Sequence, residues 1–145
     1  MTAKQYLQQI YRLRSKIRVR KEQLETLKAA AAGFHAVDYS ADRVQSSPDD
    51  HMANAVGKYA DLEAEINRMI DDYFNLVHRI IGQIEGIQNA QLADILYARY
   101  VRFESLGKIS NDLHYEYSYC CRLHGRALKE FERLYLDTTS QTKSI

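Results

Sequence analysis

Three linked segments decide how this chain folds: Tyr97-Ala-Arg-Tyr100-Val, then Ser105-Leu-Gly-Lys-Ile109-Ser-Asn-Asp-Leu113-His114-Tyr115, then Tyr117 through Arg122-Leu-His-Gly-Arg126-Ala-Leu128. Two short apolar-periodic segments flank a turn, and a longer segment rich in arginine follows. The spacing predicts three helices, over about Ala90–Arg102, Ser105–Leu113 and Glu116–Leu136. The first buries Leu92, Ile95, Leu96 and Tyr100. The second, with Ser105 as N-cap, buries Leu106, Ile109 and Leu113. The third places Cys120, Leu123, Ala127, Phe131 and Leu134 on one inward face. Two helices crossing over a short turn, the second with a polar outer face, is the pattern of a helix–turn–helix. In that motif the second helix enters the major groove of double-stranded DNA. The residues left outside or at the edge are Tyr117, Ser118, Tyr119, Cys121, Arg122 and Arg126, which makes them the candidate DNA-binding set. Arg122 and Arg126 stand one turn apart and can meet phosphate or guanine.

Working outward, the chain upstream reads as two long helices. From Thr2 to Ala32, Ile10, Leu13, Ile17, Leu24, Leu27 and Ala31 recur at three- and four-residue steps, with Arg20 at the one missing seam position. That is a heptad stripe on a basic helix, capped by Thr2 and stopped by Gly33. From about Asp50 to Ile87, Tyr59, Ile66, Tyr73, Ile80 and Ile87 form one seven-residue series. Leu62, Met69 and Leu76 form its partner, and Ile70, Val77 and Ile84 widen it. Between the two lies loop chemistry, expected to be mobile over about 33–51: Gly33, Asp38, Ser40, Asp42, Ser46-Ser47-Pro48 and Asp49-Asp50. Gly86 and Asn89 mark the next boundary, and the polar residues 138–145 are expected to be a disordered tail.

Charge is segregated along the chain. Residues 1–28 hold eight Lys/Arg against two Asp/Glu, residues 29–89 four against ten, and residues 90–145 eight against seven. The formal net charge of +1 therefore conceals local fields that matter more. The simplest arrangement is all-α: a long coiled-coil-like antiparallel hairpin over 1–88, its acidic helix laid on the basic one, followed by a three-helix helix–turn–helix domain over 89–137. Homodimerisation through the same stripes competes with that intramolecular solution.

Several classes are set aside. Cys120 and Cys121 are adjacent, so a disulfide framework is not expected, which fits a reducing cytoplasm. The opening Met1-Thr-Ala-Lys-Gln-Tyr has no apolar run behind it, so no signal peptide is expected, and no apolar stretch approaches the roughly 20 residues of a membrane span. His114 and His124 have no third ligand at a zinc spacing, so no metal or cofactor is expected. No Gly-rich phosphate loop, carboxylate pair or nucleophile constellation marks an enzyme.

At Leu96-Tyr-Ala-Arg-Tyr100, Ile109-Ser-Asn-Asp-Leu113, Tyr115 and Arg122-Leu-His-Gly-Arg-Ala-Leu128 the chain resembles the region 4 helix–turn–helix of sigma factors. More closely, it resembles RinA-like or ArpU-like transcriptional regulators of phages and prophages of Gram-positive bacteria. The opening Met1-Thr-Ala-Lys-Gln-Tyr-Leu and the loop Arg43-Val-Gln-Ser-Ser47 resemble theirs too. The resemblance implies a cytoplasmic regulator of phage or prophage genes in a bacterial host, with double-stranded DNA as partner. An adaptor that docks on host RNA polymerase or another regulator is the alternative. His114 stands where Gly is usual in such a turn, and Glu116 where a Ser cap is common. Gly107 weakens the second helix by ~1 kcal/mol relative to Ala.

Overall fold

A computed structural model describes residues 1–37 and 48–137. Arg43-Val-Gln-Ser-Ser47 and the tail 138–145 lie outside the described residues. Those described are all-helical: α1 Ala3–Leu7, α2 Gln9–Val37, α3 Pro48–Glu85, α4 Ala90–Leu96, a π-helical turn Tyr97–Val101, α5 Leu106–Asp112 and α6 Tyr117–Tyr135. Among the described residues no helix is long and apolar enough to cross a membrane.

The chain forms two compact units: Met1–Arg12 with Tyr73–Ile145, and Leu13–Asp72. This grouping differs from the boundary near residue 88 that periodicity suggests. The reason is long-range packing. Ala3, Leu7 and Ile10 are buried in one core with Ile80, Ile84 and Ile87, with Leu92, Ile95 and Leu96 of α4, and with Cys120, Leu123, Ala127 and Phe131 of α6. Burying each leucine, isoleucine or phenylalanine of this set contributes about 1.5–3 kcal/mol, which ties Leu7 and Ile10 to the C-terminal helices. Polar contacts fix the same arrangement. Glu132 Oε2 accepts from the Ala3 amide at 3.1 Å, and the Tyr6 hydroxyl donates to Gln83 Oε1 at 3.0 Å.

Caps set the local boundaries. Thr2 forms a reciprocal capping box with Gln5, each side chain accepting from the other's amide, at 3.2 and 3.0 Å. Asn89 caps α4 by accepting from the amides of Gln91 and Leu92, and Ser105 caps α5 by accepting from Lys108. Some expected boundaries shift. The first helix is interrupted at Gln8, although bonds from Gln8 N to Lys4 O and from Arg12 N to Gln8 O continue the ladder around the interruption. Gly33 does not stop α2, which runs to Val37; no glycine takes a positive φ, so the left-handed cap is not made there. Both ends of the expected loop from 33 to 51 are helical, residues 33–37 in α2 and 48–51 in α3, which begins at Pro48, a residue suited to a first helical turn; the expectation over 38–47 lies outside the described residues. The helix over Ala90–Arg102 widens to a π-helical turn after Leu96, where Arg102 N reaches back to Tyr97 O.

Three leucines expected inside are exposed. Leu27 is 43% exposed, because among the described residues of Leu13–Asp72 only α2 and α3 pack there. Leu113 is the C-cap of α5, where the chain leaves the helical path. Leu134 is 38% exposed in the last turn of α6, beside Tyr135, itself 37% exposed, whose ring packs on Phe131 at 5.0 Å between centroids. Within Leu13–Asp72, Arg20 of α2 pairs with Glu65 of α3 at 3.4 Å and Lys28 with Glu63 at 3.1 Å. The Tyr59 hydroxyl also donates to Leu27 O at 2.6 Å.

Candidate nucleic-acid interface

The turn between α5 and α6 is built by backbone chemistry. Leu113 ends α5 in a right-handed conformation, and His114 then takes φ 57°, in the left-handed region. The Tyr115 amide donates to Ser110 O at 2.9 Å and the His114 amide to Asn111 O at 3.3 Å. This pair of bonds is a Schellman motif, which satisfies carbonyls the helix end would otherwise leave unpaired. Glycine is the usual occupant of that left-handed position, and here histidine holds it without a change of turn geometry. Ser110, the buried polar residue of α5, is satisfied by donating to Gly107 O at 2.7 Å.

Helix α6 starts at Glu116 with extended backbone and no side-chain capping bond. Its inner face is Cys120, Leu123, Ala127 and Phe131, each 1% exposed or less. Opposite them lie Ser118, Arg122, Arg126 and Lys129, all exposed. Among the described residues no acid forms an ion pair with Arg122, Arg126 or Lys129. The Arg122 guanidinium lies 5.9 Å from the Tyr119 ring centroid, a cation–π contact that orients it.

Of the sequence-predicted set, Tyr117, Ser118, Arg122 and Arg126 are exposed, Tyr117 by 57%. Tyr119 is half-buried, its ring meeting that of Tyr115 edge-on at 5.4 Å, so it supports the turn as much as it faces outward. Cys121 is half-buried and engages Tyr117; hydrogen bonding with the Cys121 thiol pushes the Tyr117 hydroxyl above its ordinary pKa. Burial, followed by the neighbouring Cys121, pushes the Cys120 thiol up, which keeps it in the unreactive protonated form. Lys129 is the residue that the sequence reading missed. Its three-residue step from Arg126 places it on the same face, a signal the helical period carries.

Residues 105–137 hold five Lys/Arg and five Asp/Glu, so net charge does not make this region basic. What marks the outer face of α6 is grouping: Arg122, Arg126 and Lys129 stand together on it. Asp112 pairs with Lys108 at 2.7 Å and Glu130 with Arg133 at 2.7 Å, and Glu132 receives the Ala3 amide, while Glu116, at the start of the helix, is in no ion pair with a described residue. The two histidines do not come together. His114 is exposed in the turn, whereas His124 Nε2 shares a 2.9 Å hydrogen bond with the Tyr100 hydroxyl. Burial, then the charges of Arg99 and Lys4, hold His124 below its ordinary pKa. Among the described residues no group of three His, Cys, Asp or Glu is placed to hold a metal ion.

Comparison with known proteins found no matching family model, no matching curated protein and no matching solved structure.

Proposed function

We propose that this chain is a sequence-specific DNA-binding transcriptional regulator of phage or prophage genes. In this reading α5, the turn and α6 work as a sigma region 4-like helix–turn–helix, with α4 and the π-helical turn as its support. Helices α2 and α3 act as a coiled-coil-like hairpin that sets spacing or holds a partner. One observation carries the reading: Arg122 and Arg126, exposed and without an acidic partner among the described residues, stand one turn apart opposite the buried stripe of α6. A face of that kind suits the major groove, where arginine forks meet guanine edges and phosphate.

The test is selection of genomic fragments with purified protein at physiological salt, then titration of the selected duplex at several salt concentrations. Arg122→Ala is expected to cost about 1–3 kcal/mol if Arg122 reads a base, and Lys129→Ala to lower the salt slope by about 1 if Lys129 meets phosphate. Failure to enrich any motif, or a double Arg122→Ala, Arg126→Ala variant that binds like the wild type, refutes the reading.

A protein-docking adaptor is the second reading. Leu113 is 36% and Tyr117 57% exposed on either side of the turn, and the carboxylate of Glu116 stands exposed beside them. Apolar groups and an acid at this edge suit a protein such as RNA polymerase better than a phosphate backbone. Binding to purified polymerase after nuclease treatment and at high salt, lost in Tyr117→Ala, separates this reading from the first.

A further inference from the structure

We propose that the open groove between α2 and α3 within Leu13–Asp72 is a self-association surface, and that its occupant is a second copy of this chain. The inference stands apart from the DNA reading and is tested without DNA.

The first observation is incomplete burial. Within this unit only Ile17, Leu24 and Ile66 fall below 10% exposure among the described residues, while Leu13, Leu62, Met69 and Ile70 are half-buried. Val19 and Leu27 are 45% and 43% exposed. Two helices cannot enclose their own apolar stripes; bundles do so with three or four.

The second observation is the chemistry of the groove, a space of roughly 810 Å³ floored by Val19, Leu27 and Leu62. Arg20 and Glu65 neutralise each other across it at 3.4 Å. Glu22, Asp61, Lys58 and Arg68 also line it, none in an ion pair with a described residue. Two acids and two bases leave no net charge. A nucleic acid would meet Glu22 and Asp61, and a strongly basic segment would meet Lys58 and Arg68. A surface carrying both signs around an apolar floor is complementary to itself. A two-fold axis satisfies it reciprocally, because each contact then occurs twice.

Size points to a weak dimer: the lining segments, residues 19–27 and 58–68, span about 15 Å of two helices each ~10 Å wide, about 300 Å², against about 800 Å² per partner in a standard interface.

Sedimentation velocity of the full chain tests this between about 1 and about 100 µM, where a mass-action dimer changes population. The expected mass rises from 16.8 kDa toward twice that value. The double variant Val19→Glu, Leu27→Glu alters exposed positions only. It should stay monomeric with unchanged helicity, and match the wild-type unfolding midpoint at concentrations where the wild type is itself monomeric, while losing the rise in midpoint with concentration that dimerisation gives the wild type. Charge gives a second arm: Glu22→Lys with Asp61→Lys makes the groove basic, and Lys58→Glu with Arg68→Glu makes it acidic. Each variant alone should associate at least about tenfold more weakly than wild type, and their mixture should recover a heterodimer. A wild-type chain that stays monomeric throughout, assembles beyond a dimer, or dimerises undiminished in the Val19→Glu, Leu27→Glu variant overturns the proposal. So does a mixture of the two charge variants that fails to associate.

Discussion

Replacing His114 by Gly and, separately, by Ala measures what the left-handed turn between α5 and α6 costs. His114 is exposed at φ 57°, so both variants lose the same side chain and differ by a single Cβ. A residue with a Cβ pays about 1–2 kcal/mol in the left-handed region, through its approach to the following carbonyl. Glycine avoids that strain but gives back about 0.5–1 kcal/mol, because its unfolded chain has more conformations to lose. The expected balance favours His114→Gly over His114→Ala by ~0.5–1 kcal/mol, or roughly 1–4 °C in Tm for a chain of this size. Urea denaturation followed by far-ultraviolet circular dichroism reads the difference as a shift in midpoint at constant slope. Amide exchange at Tyr115, whose N–H donates to Ser110 O, should slow in the Gly variant, because the local opening it reports becomes rarer. An Ala variant as stable as the Gly variant refutes the reasoning, since position 114 would then not be held left-handed. Arg122 and Arg126 are untouched by either change, so DNA affinity under the proposed function should not fall.

Glu116→Ser supplies the capping oxygen that α6 lacks, and thermal unfolding should show a gain of about 0.5–1 kcal/mol, the cap outweighing a lost carboxylate at the helix N-terminus. Gly107→Ala should stabilise α5 by ~1 kcal/mol, because a Cβ there meets nothing nearer than Ser105 Oγ at 3.9 Å; a loss of stability by the same assay would contradict that open space. His124 has a folded-state pKa depressed by burial, Arg99 and Lys4, so the unfolded chain binds its proton more readily. Its contribution is therefore complete above the unfolded value of about 6.5 and is lost as pH falls through the folded value. Denaturation between about pH 7.5 and about pH 5 should show this decline, and His124→Gln should flatten it.

Much of the candidate interface was legible because its signals are local. The periodic residues Cys120, Leu123, Ala127 and Phe131 define the inner face of α6 by a period of 3.6, and the exposure of Arg122 and Arg126 follows from the same period. Caps at Thr2, Asn89 and Ser105 act within three residues, so side-chain identity and spacing suffice to locate them. Tyr119 and Cys121 were harder. They sit at the boundary of the inner face, and whether a boundary residue is covered depends on what packs beside it, as the ring of Tyr115 does for Tyr119.

By itself, the sequence determined the helical class, most caps and the facing of each stripe, because backbone hydrogen bonding and helical periodicity act over a few residues. Only the tertiary structure decided which stripes share a core. Ala3, Leu7 and Ile10 join the residues of α4 and α6, with Glu132 bonded to the Ala3 amide across 129 positions of chain. Apolar burial has no direction and no period beyond its own helix, so the choice among several matching faces belongs to the folded whole.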